Sequence, residues 1–237
     1  MQKILLFLAF IPMTVFCQDP KKVNIKKYSV GFTFSPDFSY RKLNTDLPTP
    51  TVTDLIKSRN QIEHPKLGSA SGFNFSMYIN KRVNIEIGLL YTDKGEIATF
   101  TGGYSPSNPT SPISVDFNYH YLYLDVPIKL NYFIIPKRKL YLIAGLSPNF
   151  FIAQKTTSIS HYNDGHRSRH AGNLLSNGFN KVNTAVVFGI GQIYKLRKNI
   201  YIKLEPTYRR SLAPIKVASV NEFLYSVGLN TGIYYKL

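Results

Sequence analysis

Charged side chains of both signs recur within stretches of this chain that otherwise alternate between apolar and polar residues. They occupy one parity of the alternation, so on extended strands they would point to the same side. Opposite charges on a common face could form ion pairs, or could pass a proton or an ion between them. The residues with this potential are Glu86, Asp125, Lys129, Lys203, Glu205 and Arg209.

The predicted strand directions place these six residues at different levels. Glu86, Lys129 and Lys203 lie toward the end with the short turns, Asp125 and Glu205 lie near the middle, and Arg209 lies above them. Opposite charges therefore share levels. Because an unpaired buried charge is costly, we predict a paired interior polar network that fills the protein rather than a proton or ion path.

Three histidines and an aspartate fall within one polar segment, at His161, Asp164, His166 and His170. Imidazole and carboxylate are ordinary metal ligands. On a loop, however, histidine spacings of five and four fix no coordination geometry, so a solvated loop is favoured and no metal site or cofactor is predicted. His64 and His120 show no partner in the sequence.

Nucleophilic catalysis would require serine, histidine and carboxylate side chains grouped on neighbouring strands. The last three predicted strands contain no histidine. We therefore predict that the protein is not an enzyme and has no catalytic residues.

A two-residue period dominates the segment 118–134, NYHYLYLDVPIKLNYFI. Its even positions from Leu122 to Tyr132 are apolar or aromatic, and its odd positions are mostly polar. Such alternation is typical of a strand with one apolar face. The apolar side is longer than the roughly 9 to 11 residues that a tilted strand needs to cross a bilayer.

The same alternation predicts seven further strands, which gives an all-β chain. The eight strands are 28–40, 72–80, 83–100, 118–134, 140–152, 182–194, 200–210 and 223–237. Long loops at 41–69, 101–115 and 155–180 alternate with short turns, and both termini lie at the short-turn end. This asymmetry predicts an eight-stranded antiparallel up-and-down transmembrane β-barrel with short periplasmic turns and long extracellular loops.

A soluble eight-stranded barrel would also alternate, but with its apolar residues inside. Here the polar face is rich in Gly, Ser, Asn and Thr, which suits a narrow interior better than a solvated surface. Tyrosines near the strand ends share the apolar face, as an interfacial girdle requires. These are Tyr28, Tyr40, Tyr91, Tyr132, Tyr194, Tyr208 and Tyr235.

Residues 1–17 have the features of a secretory signal peptide, because Lys3 precedes an apolar run from Ile4 to Phe16 that is too short to span a bilayer. Cleavage after Cys17 would leave a chain without cysteine, in which residues 18–237 form one outer-membrane β-barrel domain. A lipoprotein signal with Cys17 acylated is the alternative. Phe16 disfavours it, since a small residue normally precedes such a cysteine.

A net charge of +16 raises the question of nucleic-acid binding. The cations collect in the short connections, including Lys81, Arg82, Lys137, Arg138 and Arg197, and no nucleic-acid motif accompanies them. We therefore predict no nucleic-acid partner. Anionic headgroups of outer-membrane lipid explain the basic residues at one end better.

The segment YLYLDVPIKLNY at 121–132 resembles the YLEIPLLLKY-like signature of the PorT-like outer-membrane β-barrel family of Gram-negative bacteria. LEPTYR at 204–209 and SVGLNTGIYYKL at 226–237 are also similar to it. The resemblance implies location in the outer membrane; some members are linked to protein secretion, and many have no known activity. One departure is Leu237, where barrel-assembly signals usually end in Phe.

Three functional hypotheses follow. The first is a structural or interaction protein that binds a protein partner through the extracellular loops 41–69 and 155–180. The second is an accessory of secretion or transport whose basic periplasmic turns dock a protein partner. The third is a narrow passive pore.

Overall fold

The computed structural model describes residues 28–103, 110–135, 139–172, 174–175, 177–216 and 218–237. The predicted signal peptide at 1–17 and the basic pair Lys137 and Arg138 lie outside the described residues. No helix within the described ranges combines the length and the apolar character needed to cross a membrane.

Strands make up most of the described chain. Their bounds are β1 Tyr28–Asn44, β2 Glu63–Tyr78, β3 Val83–Thr101, β4 Ser114–Asp125, β5 Ile128–Ile135, β6 Leu140–His161, β7 Arg167–Ala171, β8 Val182–Lys195, β9 Ile200–Ser211 and β10 Asn221–Lys236. One helix, α1, covers Pro50–Ile62.

Antiparallel pairing closes the sheet into a ring of eight staves, where a stave is one strand, or two consecutive strands, that crosses the barrel wall once. β1 pairs with β2 on one side and β10 on the other, and the order continues through β9, β8, β6, β4 and β3 back to β2. Closure gives every stave two hydrogen-bonded neighbours, which a membrane requires because lipid offers no partner for backbone groups. The predicted eight-stranded antiparallel barrel is confirmed.

Strands β4 and β5 together form one stave, since both pair with β3 and β6. The predicted single strand 118–134 is interrupted at Val126 and Pro127 because proline has no N–H to donate. The interruption stays within the sheet: Gly88 N donates to Pro127 O at 2.9 Å, and Val126 N donates to Pro148 O at 2.8 Å.

The apolar face points outward, toward lipid. Leu130 and Leu229 are 48% and 44% exposed, whereas Asp125 and Glu205 are 2% and 1% exposed. Tyr28, Tyr132, Tyr194 and Tyr235 lie on the outer face at the short-turn end, and Tyr91 and Tyr208 lie on it toward the other end. We take the parts of the strands between these two sets of tyrosines as the membrane-crossing segments.

Two of the segments predicted as long loops contain regular secondary structure, so these predictions are wrong. The segment 41–69 contains the end of β1, all of α1 and the start of β2, and the segment 155–180 contains the end of β6 and all of β7. In the first segment Thr49 caps α1 by accepting from Val52 N at 3.3 Å, and Pro50 stands in the first turn. The extracellular side is therefore built largely from regular structure.

Candidate functional site

Four charged side chains form a compact group near the periplasmic end, which we call the lower tier: Glu86, Lys129, Lys203 and Glu205. Lys129 Nζ lies 2.5 Å from Glu86 Oε1 and 2.8 Å from Glu205 Oε2. Lys203 bonds to the other oxygen of Glu86, and Tyr141 Oη donates to Glu205 Oε1 at 2.7 Å. Two cations and two carboxylates thus compensate one another.

The lower tier follows from strand register. Glu86 and Lys129 are directly opposite each other on β3 and β5, so their side chains share the inner face. Lys203 and Glu205 are two residues apart on β9 and reach them across the barrel. All four are at most 5% exposed.

Asp125 and Arg209 belong to a separate middle tier with partners that the sequence analysis missed. Lys94 Nζ lies 2.8 Å from Asp125 Oδ2, while Arg209 pairs with Asp37 and donates to Asn230 Oδ1 at 2.5 Å. The signal was present, because Asp37 shares the inward parity of Ser35 and Ser39, and Lys94 continues the parity of Glu86.

Little space remains between these tiers. The cavity lined by Asp125, Lys129, Arg209 and Asn230 has a volume of about 10 Å³. That is close to the minimum for one water molecule. The interior at this level is a packed polar core.

An upper cluster of five charges lies beyond Tyr91, under helix α1. It consists of Arg41, Arg59, Glu63, Glu96 and Glu222. Arg41 Nε donates to Glu63 Oε2 at 2.6 Å, and Arg59 donates to Glu63 Oε1 at 2.5 Å and to Glu222 Oε2 at 3.1 Å. Three carboxylates meet only two guanidinium groups here.

Glu96 is the carboxylate without a cation in the contacts among described residues. The Tyr121 hydroxyl lies 3.0 Å from Glu96 Oε1 and 3.3 Å from Glu222 Oε1, and Glu96 Oε2 has no hydrogen-bond partner. Burial, reinforced by the nearby Glu222 and Glu63, raises the pKa of Glu96 well above its usual 4.5.

Burial opposes the charge on Arg59, but hydrogen bonding and attraction to Glu63 and Glu222 outweigh it. The pKa of this guanidinium is therefore raised. Arg59 stays charged at every accessible pH and ties α1 to β2 and β10.

The histidines have partners that the sequence did not show. His120 Nδ1 lies 2.8 Å from Asp93 Oδ2 and 2.7 Å from Lys66 Nζ, two partners that the sequence did not reveal. His161 Nε2 lies 3.0 Å from Asp116 Oδ2 on the neighbouring strand. His166 and His170 are exposed, and the described residues contain no group of three or more His, Cys, Asp and Glu side chains arranged to bind a metal.

Apolar clusters close the interior above and below the charged tiers. Near the periplasmic end, Phe133, Tyr141, Ile193, Tyr201 and Tyr234 pack together and Tyr78 lies against them. Toward the extracellular end, a second cluster contains Tyr121, Tyr123, Phe151, Ile215 and Leu224. The tiers are thus shielded from water at both mouths.

A closed antiparallel ring with apolar residues outside, charges inside and tyrosines at the membrane boundaries defines a transmembrane β-barrel of the outer membrane. The chain belongs to the outer membrane protein beta-barrel domain family, whose model matches residues 16–236. No curated protein matches the chain.

Solved outer-membrane barrels resemble the fold at low sequence identity. Neisserial surface protein A is 13% identical, with 89% of this chain and 97% of that chain covered and a TM-score of 0.39. Ail, the attachment invasion locus protein of Yersinia pestis, is 12% identical, with 87% and 97% covered and a TM-score of 0.36. The outer membrane protease OmpT from Escherichia coli is 8% identical, with 89% and 97% covered and a TM-score of 0.46.

Proposed function

We propose that this outer-membrane barrel is a non-enzymatic interaction protein of the PorT-like group, with a filled interior and a binding surface on its extracellular side. A cleaved signal peptide at 1–17 would deliver residues 18–237 to the membrane. Outer-membrane lipid and a protein would be its partners; nucleic acid, a cofactor and a metal ion would play no part.

The extracellular extension of the sheet carries this proposal. Strand β6 has 22 residues, about twice the number needed to cross a bilayer, and it pairs with β4 and then with the fully exposed β7. Within the described residues β7 pairs with β6 alone, so its other edge is open. An open edge with exposed side chains suits addition of a strand from a partner protein.

The filled interior supports a role without transport or catalysis. The paired charges of the lower and middle tiers occupy the interior, and the cavity beside Asp125 and Arg209 has a volume of only about 10 Å³, so the network serves as a polar core. The His120 ring lies against Lys66 and Asp93, and the His161 ring lies against Asp116, rather than against a serine or threonine hydroxyl. This disfavours the nucleophile and base arrangement of serine hydrolases.

The experiment is chemical crosslinking on intact cells, followed by affinity capture of the barrel. One variant replaces the β7 residues 167–171 with Gly and Ser, which removes the edge strand and leaves the membrane part unchanged. We expect the variant to reach the outer membrane at wild-type level and to lose the crosslinked partner. Retention of the same partner would refute the proposal.

A secretion or transport accessory is the second candidate function, and the cationic periplasmic end favours it. The matched variant for this role is Lys137→Glu with Arg138→Glu, in the segment of the sequence between β5 and β6. Loss of a partner only in this variant would favour the accessory role over extracellular binding.

A further inference from the structure

The periplasmic mouth of the barrel contains a pocket that none of the preceding interactions uses. Its volume is about 270 Å³, and its apolar walls include Tyr78, Phe133, Ile193 and Tyr201. These side chains belong to the lower aromatic cluster, so the pocket opens from the inside of the barrel rather than toward lipid.

Cationic side chains surround this pocket from several connections. They are Lys81, Lys139, Lys195, Arg197, Lys198 and Lys236. No aspartate or glutamate is among the described residues that line it. None of the ion pairs between described residues involves Lys81, Lys139, Lys195 or Arg197.

The arrangement differs from that of the buried tiers, where every lysine lies against a carboxylate. At the pocket, Lys236 Nζ lies 5.6 Å from the centres of both the Tyr78 and the Tyr201 rings. A ring of positive charge around apolar walls attracts an anion that also carries an apolar group.

We propose that this pocket binds an acidic peptide segment of a periplasmic protein, with an apolar side chain in the cavity and carboxylates on the surrounding cations. The cations come from the turns after β2, β5 and β8 and from the end of β10, so they encircle the mouth. A chain that crosses the mouth meets several of them, whereas the cavity itself has room for one or two side chains. The proposal rests on the second candidate function and names the chemistry that its partner would present.

The pocket can be tested with the purified barrel in phosphatidylcholine nanodiscs, where the membrane itself is uncharged overall. The probe is the fluorescein-labelled peptide Asp-Glu-Phe-Asp-Glu-Phe, followed by fluorescence anisotropy at low salt. The amide analogue Asn-Gln-Phe-Asn-Gln-Phe tests the need for carboxylates, and Asp-Glu-Ala-Asp-Glu-Ala tests the apolar walls.

The informative variant is Lys195→Gln with Arg197→Gln, because both residues are exposed and their removal spares the barrel core. We expect at least a tenfold loss of affinity for the acidic peptide. The control Arg167→Gln with Arg169→Gln makes the same change in net charge on exposed β7 and should bind as the wild type does. The exchange Lys195→Arg with Arg197→Lys keeps the charge and should also retain binding.

Equal losses of peptide affinity in the two glutamine variants would show a non-specific charge effect and overturn the proposed binding site. Failure of the wild-type protein to bind, or equal binding of the amide analogue, would overturn it as well. The peptide experiment and the cell-based partner test can fail independently of each other. The peptide experiment changes the pocket residues Lys195 and Arg197, whereas the cell-based test changes Lys137 and Arg138.

Discussion

Arg59 on helix α1 donates to Glu222 Oε2 on β10 at 3.1 Å, across 163 residues of sequence. The same guanidinium also bonds to both oxygens of Glu63 at the start of β2. One side chain therefore connects the helix that covers the extracellular end to two staves of the barrel.

Arg59→Gln should loosen α1 while leaving the membrane-crossing part folded. The variant loses charge-assisted hydrogen bonds and leaves buried Glu63 and Glu222 less well compensated, which we expect to lower stability by about 1 to 3 kcal/mol. Hydrogen exchange followed by mass spectrometry should show faster exchange in residues 50–62. Lys57→Ala, which removes an exposed pair with Asp54, is the control and should leave this exchange unchanged.

Glu205→Ala should destabilise the whole barrel. Lys129 would keep Glu86 but lose one of its two carboxylates, and the Tyr141 hydroxyl would lose its acceptor. Breaking a buried pair from one side typically costs about 3 to 5 kcal/mol. Urea unfolding in lipid vesicles, followed by far-UV circular dichroism, would measure the loss. Exposed Asp54→Ala should change stability by less than about 0.5 kcal/mol. Equal stability of Glu205→Ala and wild type would mean that the tier contributes nothing.

A filled barrel should not conduct ions. In planar bilayers we expect the wild-type protein to show no single-channel steps above background, because the lower tier and the aromatic clusters block the interior. Glu205→Gln is close to Glu205 in volume and should be equally silent. Regular conductance steps that change in Glu205→Gln would support the passive-pore hypothesis instead.

Strand alternation predicted much of the fold and six of the eight charged residues in the lower and middle tiers, because its cause is local. A side chain on a strand points to the face that its parity dictates, so Glu86, Lys129 and Lys203 could be placed together inside, toward the short-turn end, from sequence alone. Glu205 was predicted near the middle, whereas in the structure it contacts Lys129 in the lower tier. Partner choice is not local. Whether Arg209 meets Glu205 or Asp37 depends on stagger around the closed ring, and the structure shows Asp37.

The extracellular side was harder to predict for two physical reasons. Helix α1 has no buried residue, and the helical spacing of Val52, Leu55 and Ile56 covers only about one turn, which is a weak signal of a helix. The pairing of β2 with β3 also shifts between Pro65 and Ser69, and such a shift disrupts the parity on which the inward assignment relied. Thr49 followed by Pro50 was the remaining signal of a helix start.

The raised pKa of Glu96 predicts a pH dependence of stability. Its pKa is raised in the folded protein, so between the unfolded and folded values the folded state holds a proton that the unfolded state has released. Stability from this group is complete below the unfolded pKa of about 4.5 and falls as pH rises toward the folded pKa.

Glu96→Gln removes this titration and keeps a side chain of similar size. Relative to the variant, the wild type should lose up to about 1.4 kcal/mol per pH unit across that window. Unfolding free energies measured at intervals from pH 4 to pH 8 would show two diverging curves. Asp46→Asn, an exposed change in the same charge, should give a curve parallel to that of the wild type. If the stability curves of the wild type and Glu96→Gln run parallel, Glu96 does not have a raised pKa in the folded protein and the prediction is wrong.

Gly95 sits on β3 between inward Lys94 and Glu96, and substitution there should impair folding. Its φ is +146°, and an added Cβ would lie 1.9 Å from the Tyr119 carbonyl oxygen on β4. Gly95→Ala would therefore strain the backbone and force β3 and β4 apart. It would also disturb the hydrogen bond that Gly95 N donates to Ser39 Oγ on β1 at 3.0 Å. We expect a reduced folded fraction, seen as loss of the fast-migrating band on unheated SDS gels.

Gly165→Ala is the control, because its φ is +81° but a Cβ there meets nothing within 4 Å. It should lose only about 1 kcal/mol, from backbone strain. A folded fraction equal to that of Gly165→Ala would show that β4 can move aside.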